Sequence, residues 1–174
     1  MLVKTWMSTE VIAVDAADAM KDANQLLREH KIRMLPVLEN GNLVGVITDR
    51  DLKRASASDA NALDVYELLY LLSKIRVREI MTRDPVTVPP DFTVEETAEI
   101  LLHHKISGVP VVAGGAVVGV ITQSDIFRAL IRLTGLAMRG VQFAIRIPEA
   151  PGQIEALTGI IGRHGGRLVS LLSH

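Results

Sequence analysis

The stretches GVITDRD at residues 45–51 and GVITQSD at residues 119–125 decide the fold of this 174-residue chain. They differ only in the two residues that precede the final aspartate. When the sequence is shifted by 74 positions, residues 7–55 (copy one) align without a gap on residues 81–129 (copy two), and 17 of the 49 pairs are identical. Agreement of this extent in one register indicates a duplicated structural unit.

Each copy predicts the element order β-α-β-β-α. An extended run comes first, at residues 10–14 in copy one and 85–88 in copy two, and a helix follows it. Two further strands flank a tight turn, which is Asn40-Gly41 in copy one and Gly114-Gly115 in copy two. Both dipeptides suit the positive φ angles that two-residue hairpins require. A second helix closes each copy.

The predicted helices are indicated by their apolar spacing and by their start signals. The first helix of copy two has a capping signature, because Thr93 is followed three residues later by Glu96. The closing helices are predicted to begin near Asp49 and Gln123. The apolar stripes of the two first helices are Met20, Ala23, Leu26 and Leu27 in copy one, and Val94, Ala98, Leu101 and Leu102 in copy two.

The fold class that follows is mixed α+β, with the two β-α-β-β-α copies packed as a pseudo-twofold pair. A single copy of roughly 45 residues buries too little apolar surface to be stable by itself. We therefore expect both copies to share one domain.

The repeated seven residues carry two compatible interpretations. Thr48 and Asp51 lie where a strand passes into a helix, so they are placed to cap the helix and to interact with its dipole. The same junction of hydroxyl, carboxylate and helix N-terminus can also bind a phosphate and a ribose diol. Gly45 and Gly119 would then let a flat ring approach the backbone. The recurrence of Gly, Thr and Asp in both copies favours a ligand site.

These motifs resemble a tandem pair of CBS domains, also called a Bateman module. The resemblance lies in KIRMLPV…NGNLVGVITDRDL and KISGVPV…GGAVVGVITQSDI, and it covers about residues 1–130. It implies a first CBS repeat over residues 1–57, a linker helix over 58–76 and a second repeat over 77–132. It also implies that two pairs commonly assemble into a disc-shaped homodimer.

The CBS resemblance implies two clefts between the repeats that bind adenosine-containing ligands such as AMP, ADP, ATP or S-adenosylmethionine. The threonine and aspartate of each G-x-x-T-x-x-D motif would contact ribose and phosphate, and the residues around each Pro-Val strand would face the base or the phosphates. The implied nucleotide-binding residues are Thr48, Asp51, Thr122, Asp125, Arg33, Met34, Pro36, Ser107, Gly108, Val109 and Pro110.

The two clefts are predicted to be unequal. Copy one has Asp49-Arg50 where copy two has Gln123-Ser124. Two aspartates within one helical turn repel a polyphosphate unless Arg50 or Arg33 offsets them. We therefore expect the Thr122/Asp125 cleft to accept phosphorylated ligands better.

Residues outside the repeats predict a linker helix and a half domain. Between the copies, Leu63, Tyr66 and Tyr70 lie on one helical stripe, which favours a helix covering the flank of the pair and leaves a partner-binding helix as the alternative. Residues 140–174 predict a strand, a turn, a helix and a strand. They resemble the first half of an ACT domain, which is ferredoxin-like. Such a half exposes a sheet edge, so we expect it to pair with a partner chain or to be poorly ordered.

The order CBS, helix, CBS and ACT-like segment resembles the AcuB-like acetoin utilization protein family. Members of that family have no assigned catalytic activity. The resemblance therefore implies a role in acetoin or related carbon metabolism without implying a reaction.

Composition excludes several classes of function. The net charge is −1 and aromatic residues make up 3%, so neither a basic field nor stacking surfaces favour nucleic acid. The chain has no cysteine, which excludes disulfides and thiolate chemistry. No signal peptide or segment of membrane-spanning length is predicted. We expect a cytoplasmic protein that does not bind a membrane.

No catalytic residue, obligatory cofactor or metal site is predicted. P-loop, Gly-x-Ser-x-Gly and His-Glu-x-x-His patterns are missing from the sequence. His103 and His104 are adjacent on a helix and point about 100° apart, which disfavours joint chelation. We therefore expect a non-enzymatic homodimeric sensor that binds an adenine nucleotide or S-adenosylmethionine and signals to an unknown protein partner. The alternatives are a structural dimerization module with empty clefts, or a regulatory fragment of a larger enzyme or transporter.

Overall fold

The structure is a computed structural model that describes residues 1–58, 74–138 and 140–172. The chain divides into two compact units, Met1–Asp125 and Ile126–His174. The helical stripe predicted at Leu63, Tyr66 and Tyr70 lies outside the described residues. The first unit holds both copies up to the start of the last repeat helix, as a shared core requires.

Copy one has the predicted element order. Its helices begin and end close to the predicted boundaries, while the first strand is shorter than the predicted run 10–14 because only its end has a neighbouring strand. The elements are β1 (Val14–Asp15), α1 (Met20–Glu29), β2 (Met34–Glu39), β3 (Asn42–Thr48) and α2 (Asp49–Ser58).

Copy two repeats this order with a reduced first strand, and a short helix and a short strand precede that strand. Its predicted first strand, residues 85–88, is a single parallel bridge between Val88 and Val111, equivalent to the pairing of Val14 with Val37 in copy one. Short 3₁₀ turns occupy Val3–Thr5 and Leu136–Met138. The elements are α3 (Val77–Ile80), β4 (Thr82–Arg83), α4 (Val94–His104), β5 (Gly108–Ala113), β6 (Ala116–Thr122) and α5 (Gln123–Leu133).

The hairpins β2-β3 and β5-β6 form as predicted, and they share an irregularity that the sequence did not indicate. The register shifts between Val37 and Leu38 in copy one and between Val111 and Val112 in copy two. A bulge of this kind increases the local twist of a strand. It occurs at equivalent positions of both copies, so the duplication preserves it.

The two copies exchange their edge segments. β4, at the start of copy two, pairs antiparallel with β3 of copy one, with Val46 opposite Thr82. In the equivalent place, Ser8 at the start of copy one exchanges both backbone hydrogen bonds with Val120 of copy two, at 2.9 and 3.0 Å. Each copy therefore completes the sheet of the other. This reciprocal backbone pairing agrees with the pseudo-twofold relation predicted from the repeat.

Equivalent apolar residues form the buried interior of each copy. The predicted stripe on α1 is correct, whereas the stripe on α4 needs one correction: Leu102 is 72% exposed, and Thr97 is fully buried instead. The Thr97 hydroxyl donates to the Thr93 carbonyl at 2.9 Å, which satisfies it inside the core. The buried equivalent pairs are Val14 and Val88, Leu27 and Leu101, Leu35 and Val109, Val37 and Val111, and Ile47 and Ile121.

The predicted capping box at the start of α4 is confirmed. The amide of Glu96 donates to the Thr93 hydroxyl oxygen at 3.1 Å, and the Thr93 amide donates to the Glu96 carboxylate at 2.8 Å. The hydrogen bonds from the Thr93 backbone and side chain lower the pKa of the Glu96 carboxyl. These bonds satisfy backbone donors that would otherwise lack partners at a helix start.

In the second unit, the predicted helix is present and the predicted strands are not. α6 spans Gln153–Arg163, between Gly152 and Gly165, which both have positive φ. Residues 140–148 and 167–172 belong to no strand. A strand requires a hydrogen-bonded neighbour, and no described segment of this unit supplies one.

We predict that Gly45→Ala and Gly119→Ala each destabilise the protein by about 1–3 kcal/mol, because a core overpacked by one methyl must shift. A Cβ at Gly45 would lie 2.7 Å from Met81 Sδ and 2.8 Å from the Thr82 carbonyl oxygen. Urea unfolding measures the loss. Gly140→Ala is the matched control, because a Cβ there meets nothing within 4 Å. Equal stability of all three variants would contradict the close approach.

Candidate ligand-binding site

Each candidate site is a direct junction between a strand and a helix. β3 ends at Thr48 and α2 begins at the next residue. The Thr48 amide and hydroxyl both donate to Asp51 Oδ2, at 3.0 and 2.6 Å, and the Asp51 amide donates to Thr48 Oγ1 at 3.4 Å. The two side chains therefore cap the helix through one another, as the first interpretation of the sequence predicts.

Copy two builds the same junction between β6 and α5. The Thr122 amide and hydroxyl donate to Asp125 Oδ2 at 2.8 and 2.6 Å. Asp125 is only 3% exposed, so its carboxylate lies almost wholly inside the protein. Buried carboxylates need such donors to offset the loss of hydration.

The loop before each Pro-Val strand is tied to its junction. The Asp49 amide donates to the Arg33 carbonyl at 3.2 Å, and the Gln123 amide donates to the Ser107 carbonyl at 2.9 Å. Arg33 and Ser107 are both exposed. The structure thus brings these two predicted site residues next to the Thr–Asp pairs and leaves their side chains accessible.

The other predicted site residues lie deeper. Met34 is 8% exposed and pairs with Thr48, while Gly108 occupies the equivalent place opposite Thr122. A Cβ at Gly108 would lie 3.0 Å from Thr122 Cγ2, so glycine fits closely there. The three remaining residues, whose side chains are buried and hold the strands in place, are Pro36, Val109 and Pro110.

The junctions differ at the first residue of the helix, which is Asp49 in copy one and Gln123 in copy two. In copy one, Asp51 Oδ1 lies 3.5 Å from Arg54 Nη2, and Asp49 Oδ2 lies 3.3 Å from Lys53 Nζ. In copy two, the uncharged Gln123 side chain donates to the Ile106 carbonyl at 3.2 Å. Copy one therefore offsets its additional aspartate, Asp49, with Lys53 of the same helix.

The expectation that Gly45 and Gly119 admit a ligand ring is wrong. Their open faces are occupied by the exchanged segments, Met81 over Gly45 and Met7 over Gly119, with a backbone oxygen beside each. The two glycines allow the segment of the other copy to approach the strand closely. The sequence held one signal of this contact, because Met7 and Met81 are identical partners in the repeat alignment.

A cavity of about 380 Å³ lies at the other end of β3 and includes neither Thr48 nor Asp51. Within its lining, Arg78 Nη2 lies 3.7 Å from Glu39 Oε1. We place the candidate site at the Thr–Asp junctions, because they recur in both copies with the same hydrogen bonds from threonine to aspartate. The cavity is lined by Ala16, Glu39, Leu43, Val44, Arg78, Met81, Arg83 and Asp84.

Within residues 1–58, 74–138 and 140–172, no three His, Cys, Asp or Glu side chains are grouped to hold a metal ion. None of the helices found there combines the length and apolar character that a bilayer crossing requires. The rings of His103 and His104 meet edge to face, with centroids 4.9 Å apart.

Comparison with known proteins identifies the repeats. The sequence model for the CBS domain matches residues 3–58 and 77–132. A CBS domain-containing protein of Dictyostelium discoideum is 34% identical over 134 residues, which cover 76% of this chain and 92% of that protein. The inosine-5'-monophosphate dehydrogenase of Korarchaeum cryptofilum is 34% identical over 125 residues, which cover 71% of this chain and only 23% of the enzyme.

Solved structures agree with this fold. The CBS domain pair of MJ0100, in complex with 5'-methylthioadenosine and S-adenosylmethionine, has a TM-score of 0.64 at 33% identity, covering 75% of this chain and 95% of that one. CBSX2 in complex with AMP has a TM-score of 0.62 at 29% identity and covers 75% and 96%. AcuB of Vibrio cholerae, named for acetoin utilization, has a TM-score of 0.66 at 28% identity and covers 82% and 98%.

We predict that Thr48→Val and Thr122→Val each lower the free energy of unfolding by about 1 kcal/mol without any ligand, because the cap loses its hydroxyl. Thr48→Ser and Thr122→Ser retain the hydroxyl and are the matched controls, with smaller losses. Urea unfolding at neutral pH measures all four variants. If the valine variants were as stable as the serine variants, the hydroxyl would not contribute to the cap.

Proposed function

This chain belongs to the CBS-domain family, and from that premise we propose that it is a regulatory sensor of adenosine-containing ligands. The observation that carries the proposal is the duplicated Thr–Asp junction with an accessible loop residue, Arg33 or Ser107, hydrogen-bonded to it through the backbone. The same chemistry appears twice, once in each member of the pair. We propose one ligand site at each junction.

The chemistry of the junction suits a nucleoside. A carboxylate accepts hydrogen bonds from both hydroxyls of a ribose, and a helix N-terminus favours a phosphate. Asp51 uses Oδ2 for the cap, while Oδ1 faces the guanidinium of Arg54, whose side chain is 74% exposed. Because the Arg54 side chain is mostly exposed and its Nη2 lies 3.5 Å from Oδ1, a ribose diol can share or displace its contact with Asp51, whose own side chain is 12% exposed.

Related structures support adenosine as the common element. MJ0100 was solved with 5'-methylthioadenosine and S-adenosylmethionine, and CBSX2 with AMP. These ligands differ in charge and in the group attached to the ribose, and all contain adenosine. We therefore propose adenosine recognition for this chain, with S-adenosylmethionine and the adenine nucleotides as the candidate ligands and no obligatory cofactor.

We propose that the two sites differ in their affinity for phosphorylated ligands, by less than the sequence suggests. Copy one has Asp49 and Asp51, yet each lies beside a basic residue of its own helix, Lys53 or Arg54. These ion pairs reduce the repulsion of a polyphosphate that the sequence suggests. We propose that the Asp125 site still binds phosphorylated ligands more tightly, because Gln123 and Ser124 add no negative charge beside it.

We propose that the chain forms a homodimer through its CBS pair. Ligand binding would change the arrangement of the two copies, and another protein would recognise that change. A ligand shifts such an equilibrium only if it binds the two conformations with different affinity. The proposal includes a role in acetoin metabolism because the chain is similar to AcuB. It includes a cytoplasmic location because the sequence predicts one. The chain contributes regulation and no catalytic step.

A second candidate function is a structural dimerization module. It is favoured by the completeness of the caps: Thr48 and Asp51 satisfy one another without any ligand. A third candidate is the regulatory part of a larger enzyme, favoured by the match to 23% of the inosine-5'-monophosphate dehydrogenase.

The test is a thermal-shift titration of the wild type, Asp51→Ala and Asp125→Ala with AMP, ADP, ATP and S-adenosylmethionine. A ligand at 100 times its Kd adds about 2.7 kcal/mol, which raises Tm by roughly 5–10 °C for a chain of this size. We expect one aspartate variant to abolish most of the shift for a given ligand, measured from each variant's own ligand-free Tm.

Glu96→Ala is the matched control, because it removes a carboxylate from a capping box that lies outside the junctions. It should lower the ligand-free Tm and leave the ligand-induced shift intact. If none of the ligands raised the Tm of the wild type, the structural dimerization module would become the better account. If Asp51→Ala and Asp125→Ala reduced the shift equally, the sites would be equivalent.

A further inference from the structure

The second unit exposes a large amount of apolar side-chain surface. Ten large apolar residues between positions 140 and 172 are 39–79% exposed. At 60–120 Å² for a whole side chain, they present roughly 500 Å² of apolar surface. They are Val141, Phe143, Ile145, Ile147, Ile154, Ile160, Leu168, Val169, Leu171 and Leu172.

That amount of surface matches what one partner contributes to a stable interface. A standard interface buries about 800 Å² from each partner, and about 60% of it is apolar. Exposed apolar patches of 300–600 Å² on monomers are often functional. The exposed surface of the second unit therefore has the area that an interface with another protein chain needs.

The segment at residues 141–147 has the pattern of a strand without a neighbour. Val141, Phe143, Ile145 and Ile147 alternate with Gln142, Ala144 and Arg146, and this alternation puts the four large residues on one face of a strand. Residues 140–148 belong to no sheet of the described structure. An unpaired strand of this kind is a template for strand addition.

We infer that the partner is a second copy of this chain, whose segment 141–147 pairs antiparallel with the same segment around a twofold axis at Ala144. In this register Val141 faces Ile147 of the partner and Phe143 faces Ile145 of the partner, so all four apolar residues are paired. A shift of the axis to Phe143 would leave Ile147 without an apolar partner, and a shift to Ile145 would place Val141 opposite Glu149.

The ends and the other face of the segment agree with this register. Gly140 faces Pro148 of the partner, and proline has no amide proton to continue the ladder, so pairing stops there. On the second face, Gln142 lies opposite Arg146 of the partner, and the side-chain oxygen of glutamine accepts from a guanidinium. No two like charges lie opposite one another. A self-complementary pattern is what a twofold interface requires.

The test uses the fact that the chain contains no cysteine. Ala144→Cys places two thiols opposite one another, with Cα atoms about 4.5–5.5 Å apart, which is within disulfide range. Under mild oxidation of the full chain without nucleotide, we expect most of this variant to run as a disulfide-linked dimer. Gln142→Cys is the matched control: its two copies would lie four residues apart, about 13 Å, so less than a tenth should cross-link.

Two further samples fix the register and the role of the apolar face. An equal mixture of Gln142→Cys and Arg146→Cys chains should cross-link well above either variant by itself, because these positions face one another. Phe143→Asp, added to Ala144→Cys, should reduce cross-linking at least tenfold. Equal cross-linking at positions 142 and 144, or none at position 144, would overturn the inference. Neither outcome depends on whether the junctions bind nucleotide.

Discussion

The close approach of each exchanged segment to the glycine of the opposite copy holds the repeat pair together. The Thr82 carbonyl oxygen and the Met81 sulfur lie within 3 Å of where a Cβ of Gly45 would be, and the Ser8 carbonyl oxygen and the Met7 sulfur are equally near at Gly119. Any larger residue there would push β4 away from β3. The glycine also stands three residues before the threonine of the junction. The contact that joins the copies and the candidate ligand site thus share one strand.

Under the proposed function, this arrangement would couple the two proposed sites mechanically. β3 begins at the hairpin, passes the exchanged segment at Gly45 and ends at Thr48, where Asp51 fixes the start of α2. β6 does the same in copy two. A ligand that moves the helix start relative to the strand acts on a strand that carries part of the other copy. In the proposed function, a small displacement at the candidate site would therefore reach both repeats.

The repeat allowed much of the fold to be predicted from the sequence. Helix starts at Asp49 and Gln123, both hairpins and the capping box at Thr93 follow from local signals such as turn dipeptides and spacing. The exchange of edge segments could not be predicted, because pairing between distant segments leaves no periodic pattern in a two-residue strand. Leu102 was placed in the core wrongly because Thr97 satisfies its hydroxyl within its own helix and takes the buried position.

The candidate site was predictable in its identity and less so in its geometry. Thr48, Asp51, Thr122 and Asp125 stand out because they recur, and the structure pairs them as capping partners. Whether they also bind a ligand depends on tertiary chemistry that spacing does not encode. The basic neighbours Lys53 and Arg54 change the charge that the aspartates of copy one present.

The measurement that tests sensing most directly is the amide NMR spectrum of the chain titrated with AMP and with S-adenosylmethionine. Binding at the junctions predicts that the largest shift changes fall on the amides of residues 48–51 and 122–125 and on the adjoining Arg33 and Ser107, and that they saturate with ligand. Saturating changes confined to other residues, or no change at millimolar ligand, would contradict the claim that the Thr–Asp junctions bind adenosine-containing ligands.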